Sequence, residues 1–395
     1  MAETAAPESP SAAAESSPAT PRLYLPELDG LRFIAFALVF LFHQGFEWIE
    51  LAKLVGSDAT HCFRQNGWVG VQLFFILSGY LITTLLLREE SLYCRVDLRA
   101  FWVRRILRIW PLFYLVVLIA FVLMPAVNGD LSYSSGRATH LGNLPWFLAF
   151  LGNWRMVTNG PVPYDAQSVL WSVCVEEQFY LLVPLIVAFL PSRARIPAVV
   201  VLIAASVGWR GMLAGRKVNQ LAIQYNTFAQ FDTLASGVLL ALCLGSDPRT
   251  SRAGRWVRWL RWPGYLFAVW VFRRNELGHG DAWNRTWDFV LIWAAGLVLV
   301  ADAVTVDGWL RDLLSQPRLV WLGKISYGLY MYHEVMFWLR DFFRRWMGWF
   351  PFEGMLLPLG TLALTIAVSA ISYNHFESRF LRLKRGWTRV PSRPE

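Results

Sequence analysis

Ten stretches of this chain are apolar over lengths that approach or match the roughly 30 Å of hydrocarbon in a bilayer, and few folds accept that pattern. They lie near 31–49, 67–87, 109–127, 169–190, 196–213, 231–245, 262–272, 286–303, 319–342 and 354–376, the seventh short and ragged at its ends. Backbone groups at that depth have no water to bind, so runs of this length are expected as helices that satisfy their own hydrogen bonds. The sequence predicts an all-α polytopic membrane protein of about ten transmembrane helices. With 55% hydrophobic and 16% charged residues, the composition falls outside the balance of a soluble domain.

An even number of spans puts both ends on one side. With the termini inside, the inner segments hold 24 of the 37 Lys and Arg residues, which predicts cytoplasmic termini. The net charge of +9 then describes loops beside a lipid bilayer, and no nucleic acid partner is expected. Residues 1–22 are rich in Ala, Pro, Ser and Glu and contain no aromatic residue, so they are expected as a disordered cytoplasmic tail without the basic start and apolar centre of a signal peptide. A membrane domain over 23–385 and a short cytoplasmic tail over 386–395 complete the expected organisation. The connection 128–168 reads as an outer loop with a short helix near Leu144 to Leu151. Cys62, Cys94, Cys174 and Cys243 are scattered without ligand spacing, so no disulfide and no metal is assigned.

Polar groups inside the apolar runs are candidates for function. Arg32 and His43 stand eleven positions apart in the first run, which leaves about 20° between them on a helix and a rise of roughly 16 Å. They share a face. Asp29 is placed to cap that helix, and Arg32 lies in its first turn. Counting from span ends, Glu176, Gln72 and His333 fall in the same outer layer as His43, with Ser78 near the middle. Left unpaired in hydrocarbon such groups cost several kcal/mol each, so a shared polar cavity is expected. On the inner side Arg105 and Arg108 share a helix face and read either as a phosphate clamp or as a cluster touching anionic lipid. Inner cations and an outer imidazole suit a donor with an anionic head and a long thin arm, the shape of acyl-coenzyme A. Asp232 is read as the N-cap of the sixth span, and His333 as either an acceptor contact or an interhelical hydrogen bond.

Six motifs in order extend the argument. Leu28-Asp29-Gly30-Leu31-Arg32 with His43, the run from Gly70 to Ile82, Arg105-Ile106-Leu107-Arg108-Ile109-Trp110-Pro111, Trp171 to Tyr180, Ile325 to His333, and Phe376-Glu377-Ser378-Arg379-Phe380 resemble the acyltransferase 3 family of integral membrane O-acyltransferases. The likeness runs from about residue 25 to 385. It implies transfer of an acetyl or other short acyl group from acyl-CoA to a hydroxyl, with a glycan, glycolipid or macrolide-like acceptor, at a bacterial inner or plasma membrane. It also implies that His43 is the essential histidine and Arg32 its paired arginine. Glu176 takes the place of the acidic residue of the fourth span, and Arg105 and Arg108 that of the arginine pair. No bound cofactor is implied. Gln72 stands where the family commonly has an acid, and of the adjacent carboxylates Glu176 and Glu177, which point about 100° apart on a helix, motif register selects Glu176 as the one facing the site. Gln72, Ser78, Asp232 and His333 are the candidates for an acceptor pocket. No esterase-like domain follows the last span, so any handover to one is expected to need a separate protein.

Two mechanisms fit these residues: His43 as general base for direct attack on the thioester, or His43 as carrier of the acyl group. A transporter or flippase of a glycan or lipid precursor is the rival class, since buried polar groups in a helical bundle suit it on physical grounds. No inverted repeat is visible to support it.

Overall fold

The computed structural model describes residues 24–44, 57–128, 136–274, 281–347 and 356–390. The expected tail 1–22, residues 45–49 of the first run, residues 129–135 of the outer connection and residues 391–395 lie outside them. The described residues are helical, with no strand among them. The long helices are α1 (Pro26–His43), α2 (Val69–Tyr93), α3 (Leu98–Leu118), α4 (Trp171–Phe189), α5 (Ser192–Gly215), α6 (Thr227–Leu244), α7 (Arg252–Arg273), α8 (Ala282–Thr305), α9 (Ser326–Met347) and α10 (Leu356–Ser372). Among the described residues, seven helical stretches are long and apolar enough to cross a membrane: Val69–Tyr93, Leu98–Val127, Asp165–Phe189, Ser192–Gly215, Thr227–Leu244, Thr286–Thr305 and Leu357–Arg385. The other three carry more charge. Glu27, Asp29 and Arg32 open α1, arginines recur along α7, and Glu334, Arg340 and Asp341 interrupt α9.

Shorter helices join these, including Gly136–Leu148 and Gly152–Asn159 in the predicted outer connection. The ninth predicted span is broken at Ile325 into Pro317–Lys324 and α9. Two caps differ from expectation. α1 starts at Pro26, whose missing N–H is harmless at a first turn, so Asp29 lies inside the helix and binds Arg32 at 2.9 Å. α6 starts at Thr227 under the Asn226 side chain, which accepts from the N–H groups of Phe228 and Ala229. Asp232 is therefore not a cap. It lies fully buried inside α6 against Arg210 of α5, with Nη–carboxylate distances of 2.6 and 2.8 Å.

α2 and α6 form the most extensive helix pair, and the reason is local. A Cβ at Gly79 would overlap the carbonyl oxygen of Leu234, and one at Gly237 would overlap that of Ile76. Glycine at both positions lets the two backbones approach, as small residues do between helices in lipid, where apolar exclusion does not drive association. The approach lets Gln72 donate to Gln230 across the pair at 3.1 Å.

α3 runs on through a π turn, Ile119–Leu123, into Met124–Val127. In that register the Ala120 carbonyl would accept from residue 125, but Pro125 has no N–H, and Gln167 supplies a donor at 2.8 Å instead. At the opposite end of α3, Asp97 caps the helix through the N–H of Ala100 and binds Arg389 at 2.8 Å, docking the segment after the last helix. That N–H first, and Arg389 next, hold the Asp97 carboxyl below its usual range.

Gly79→Val or Gly237→Val is expected to lower the melting temperature in detergent, whereas Arg210→Met, which strands the buried Asp232 carboxylate, is expected to destabilise by about 3–5 kcal/mol. Substituting Arg210 and Asp232 together by apolar residues should recover most of that loss in the same melting assay.

Candidate functional site

α1, α2, α3, α4 and α9 enclose a cavity of about 750 Å³, open mouth included. α1 gives Arg32, α2 gives Ser78 among apolar neighbours, α3 gives Arg105 and Arg108, α4 gives Ser172, Glu176 and Tyr180, and α9 gives Tyr327 and Tyr330. The lining joins three guanidinium groups to a carboxylate among hydroxyls.

Glu176 and Tyr180 are one turn apart on α4, and their side chains meet: the Tyr180 hydroxyl donates to Glu176 Oε1 at 2.5 Å. Ser78 donates to the same oxygen from α2, and its Oγ lies 2.8 Å from the Tyr180 hydroxyl. The Arg105 guanidinium lies over the Tyr180 and Phe101 rings at 5.6 and 5.5 Å. Glu177 points elsewhere and accepts from the Trp110 indole at 2.9 Å. Of the two adjacent carboxylates, Glu176 is the one in the cavity.

His43 stands apart from this group. It ends α1, its Nδ1 donating to the Val39 carbonyl at 2.9 Å. Its Nε2 faces Glu334 Oε1 of α9 at 3.6 Å, and its ring centroid is 5.2 Å from that of His333. His333 in turn is 5.5 Å from the ring of Tyr330, which lines the cavity and shares a 2.8 Å hydrogen bond with Ser172. Two ring contacts thus separate His43 from the cavity wall. Among the described residues, the carboxylate within 4 Å of His43 is that of Glu334.

The candidates therefore divide. Arg32, Ser78, Arg105, Arg108 and Glu176 line one cavity, and His43 and His333 meet beyond Tyr330. Gln72 is committed to Gln230, and Asp232 to Arg210, so neither is in the lining. Glu334 and Tyr180 were missed by sequence reasoning. Both had a signal: Glu334 is a carboxylate within an apolar run, and Tyr180 follows Glu176 by four residues.

Helices long enough to cross a bilayer around a polar, cation-walled cavity define a multi-pass membrane protein with a buried reaction or transport site. A family model described as an acyltransferase domain, acyltransferase 3, matches residues 25–374, and the chain belongs to that family. It is 28% identical over 326 residues to a putative peptidoglycan O-acetyltransferase, YrhL, of Bacillus subtilis (strain 168), covering 78% of this chain and 48% of that protein. It is 27% identical over 369 residues to the O-acetyltransferase OatA of Staphylococcus aureus (strain NCTC 8325 / PS 47), covering 90% of this chain and 57% of the relative. The chain spans about half the length of the curated relatives it matches. No solved structure matches it significantly.

The division between Glu176 and Glu177 can be read by chemistry. In a chain whose four native cysteines are replaced by alanine, Ser78→Cys should react with a small water-soluble thiol reagent entering the cavity. Glu177→Cys, turned toward Trp110, should react far more slowly, as followed by intact-protein mass spectrometry.

Proposed function

We propose that the protein crosses the membrane ten times with both termini cytoplasmic, and that it transfers an acetyl or other short acyl group from acyl-CoA to a hydroxyl of a cell-envelope carbohydrate. The observation that carries this reading is the single cavity that joins Arg32, Arg105 and Arg108 to Ser78, Glu176 and Tyr180, with His43 beyond Tyr330. Guanidinium forks match phosphate oxygens, so the arginines would take the anionic head of the donor. Arg32 and His43 are separated by about 16 Å along one helix face, a length suited to a thin pantetheine arm.

His43 has the features of a base. Its Nδ1 is committed to a carbonyl, which fixes the neutral ring with its lone pair on Nε2. In the proposed step that nitrogen takes the proton of the acceptor hydroxyl while the hydroxyl oxygen attacks the thioester carbon. The carbon–sulfur bond breaks, the proton passes from the imidazole to the leaving sulfur, and an ester and free CoA result. The Val39 carbonyl would orient the ring, and Glu176 would hold Ser78 and Tyr180 in place beside Arg105. The name of the Bacillus subtilis relative favours peptidoglycan as the acceptor class, and the exposed quarter of the His43 side chain gives an acceptor a way in.

His43→Ala should lower acyl transfer from labelled acyl-CoA in membrane vesicles by about 10²–10⁴-fold while the protein inserts and melts normally. Near-normal turnover would remove His43 as base. Arg105→Met should raise the KM for acyl-CoA by about tenfold or more, the worth of a lost charge-assisted hydrogen bond, with a smaller change in kcat.

A further inference from the structure

Where α1 ends against α9, three polar atoms face one another with no hydrogen bond between them. His43 Nε2 and His333 Nε2 lie 3.6 and 3.5 Å from the same oxygen, Glu334 Oε1, and all three atoms are within 4.8 Å of one another. These separations exceed the N–H···O range, and both His333 Nε2 and Glu334 Oε1 are buried without a partner. The other ring nitrogens are spoken for: Nδ1 of His43 donates to the Val39 carbonyl at 2.9 Å, and Nδ1 of His333 donates to the Tyr330 carbonyl at 2.5 Å. A carbonyl oxygen only accepts, so each Nδ1 carries hydrogen and each neutral ring offers a bare lone pair at Nε2. The two lone pairs and the Glu334 oxygen converge among the rings of Phe36, Phe337 and Tyr330.

We propose that His43 Nε2, His333 Nε2 and Glu334 Oε1 bind one divalent transition-metal cation, with Zn²⁺ the best match to the donors. Two imidazoles and a carboxylate form a zinc donor set, and bonds of about 2.0–2.2 Å in tetrahedral geometry put ligand atoms about 3.4 Å apart, close to the 3.6 and 3.5 Å that separate the two nitrogens from the carboxyl oxygen. Metal-bound histidines pass their second N–H to a carbonyl or carboxylate, which fixes the ring and raises its basicity, and both rings do so. The His43 side chain is 26% exposed against 0% and 6% for His333 and Glu334, so a fourth ligand such as water has its opening on the His43 side. The site goes beyond the acyl-transfer reading and does not depend on it. Only its consequence does: a metal on Nε2 of His43 keeps that nitrogen from taking a proton, so the loaded and transfer-competent forms exclude each other.

The test uses the full chain, purified in detergent, stripped of metal and freed of its four cysteines. Titration with Co²⁺ should give one equivalent of a tetrahedral d–d absorption band that Zn²⁺ displaces. His333→Ala and Glu334→Gln should weaken binding beyond the ~10–100-fold that changes outside the ligand set produce. A readout that needs no variant is the melting temperature of the parent chain, which saturating Zn²⁺ should raise because it binds the folded state. A parent chain with neither the cobalt band nor the rise in melting temperature overturns the site, as does undiminished Co²⁺ binding in the folded variants. Turnover of the stripped protein scores acyl transfer separately: a chain that binds Co²⁺ as described but transfers nothing leaves the site standing and removes only the base.

Discussion

Hydrocarbon offers a polar side chain nothing to bind, so each polar group carried into this bundle has to be met by another, and the helix arrangement reflects those meetings. Gly79 and Gly237 allow α2 and α6 close enough for Gln72 to reach Gln230. Arg210 and Asp232 join α5 to α6 in a fully buried pair. Ser78 and Tyr180 join α2 to α4 through one carboxylate oxygen of Glu176. The first two of these contacts lie outside the cavity lining. The third opens onto a cavity whose lining also carries Arg32, Arg105 and Arg108, so that cavity, and not the buried ion pair, is where a ligand can meet charged groups.

The two chemically distinct parts of the site are held by different means. The arginine wall belongs to α1 and α3, and α3 is fixed at one end by the Asp97 cap and at the other by Gln167 serving the Ala120 carbonyl. His43 is held by its own helix and by α9, whose residues His333 and Glu334 close around it. Tyr330 belongs to both parts, since its ring meets His333 and its hydroxyl meets Ser172 in the cavity wall.

Length and apolarity made the helices legible in sequence, because hydrocarbon thickness is a constraint on segments one at a time. Pairwise relations were harder to read. Depth counting placed His43, Glu176 and His333 in one layer, yet rise per residue says nothing of azimuth, and the structure brings His43 to Glu334 while Glu176 turns to Ser78 and Tyr180. The caps were misread for a related reason. Asp29 and Asp232 are capping residue types, but the ends of α1 and α6 are set by Leu25-Pro26 and Asn226, and the two aspartates pair with Arg32 and Arg210 inside the helices. The motif register, by contrast, chose Glu176 over Glu177 as the carboxylate facing the cavity.

The account depends on one donor lying with its phosphates on the arginines and its thioester at the imidazole. Two photoreactive acyl-CoA analogues, one labelled at the adenine end and one at the acyl end, test this most directly when adducts are mapped by peptide mass spectrometry. The adenine-end label should mark the segment around Arg105 and Arg108, and the acyl-end label should mark residues around His43, Tyr330 and His333. Both labels on the arginine side, or acyl-end adducts confined to the surface of the bundle, would contradict it.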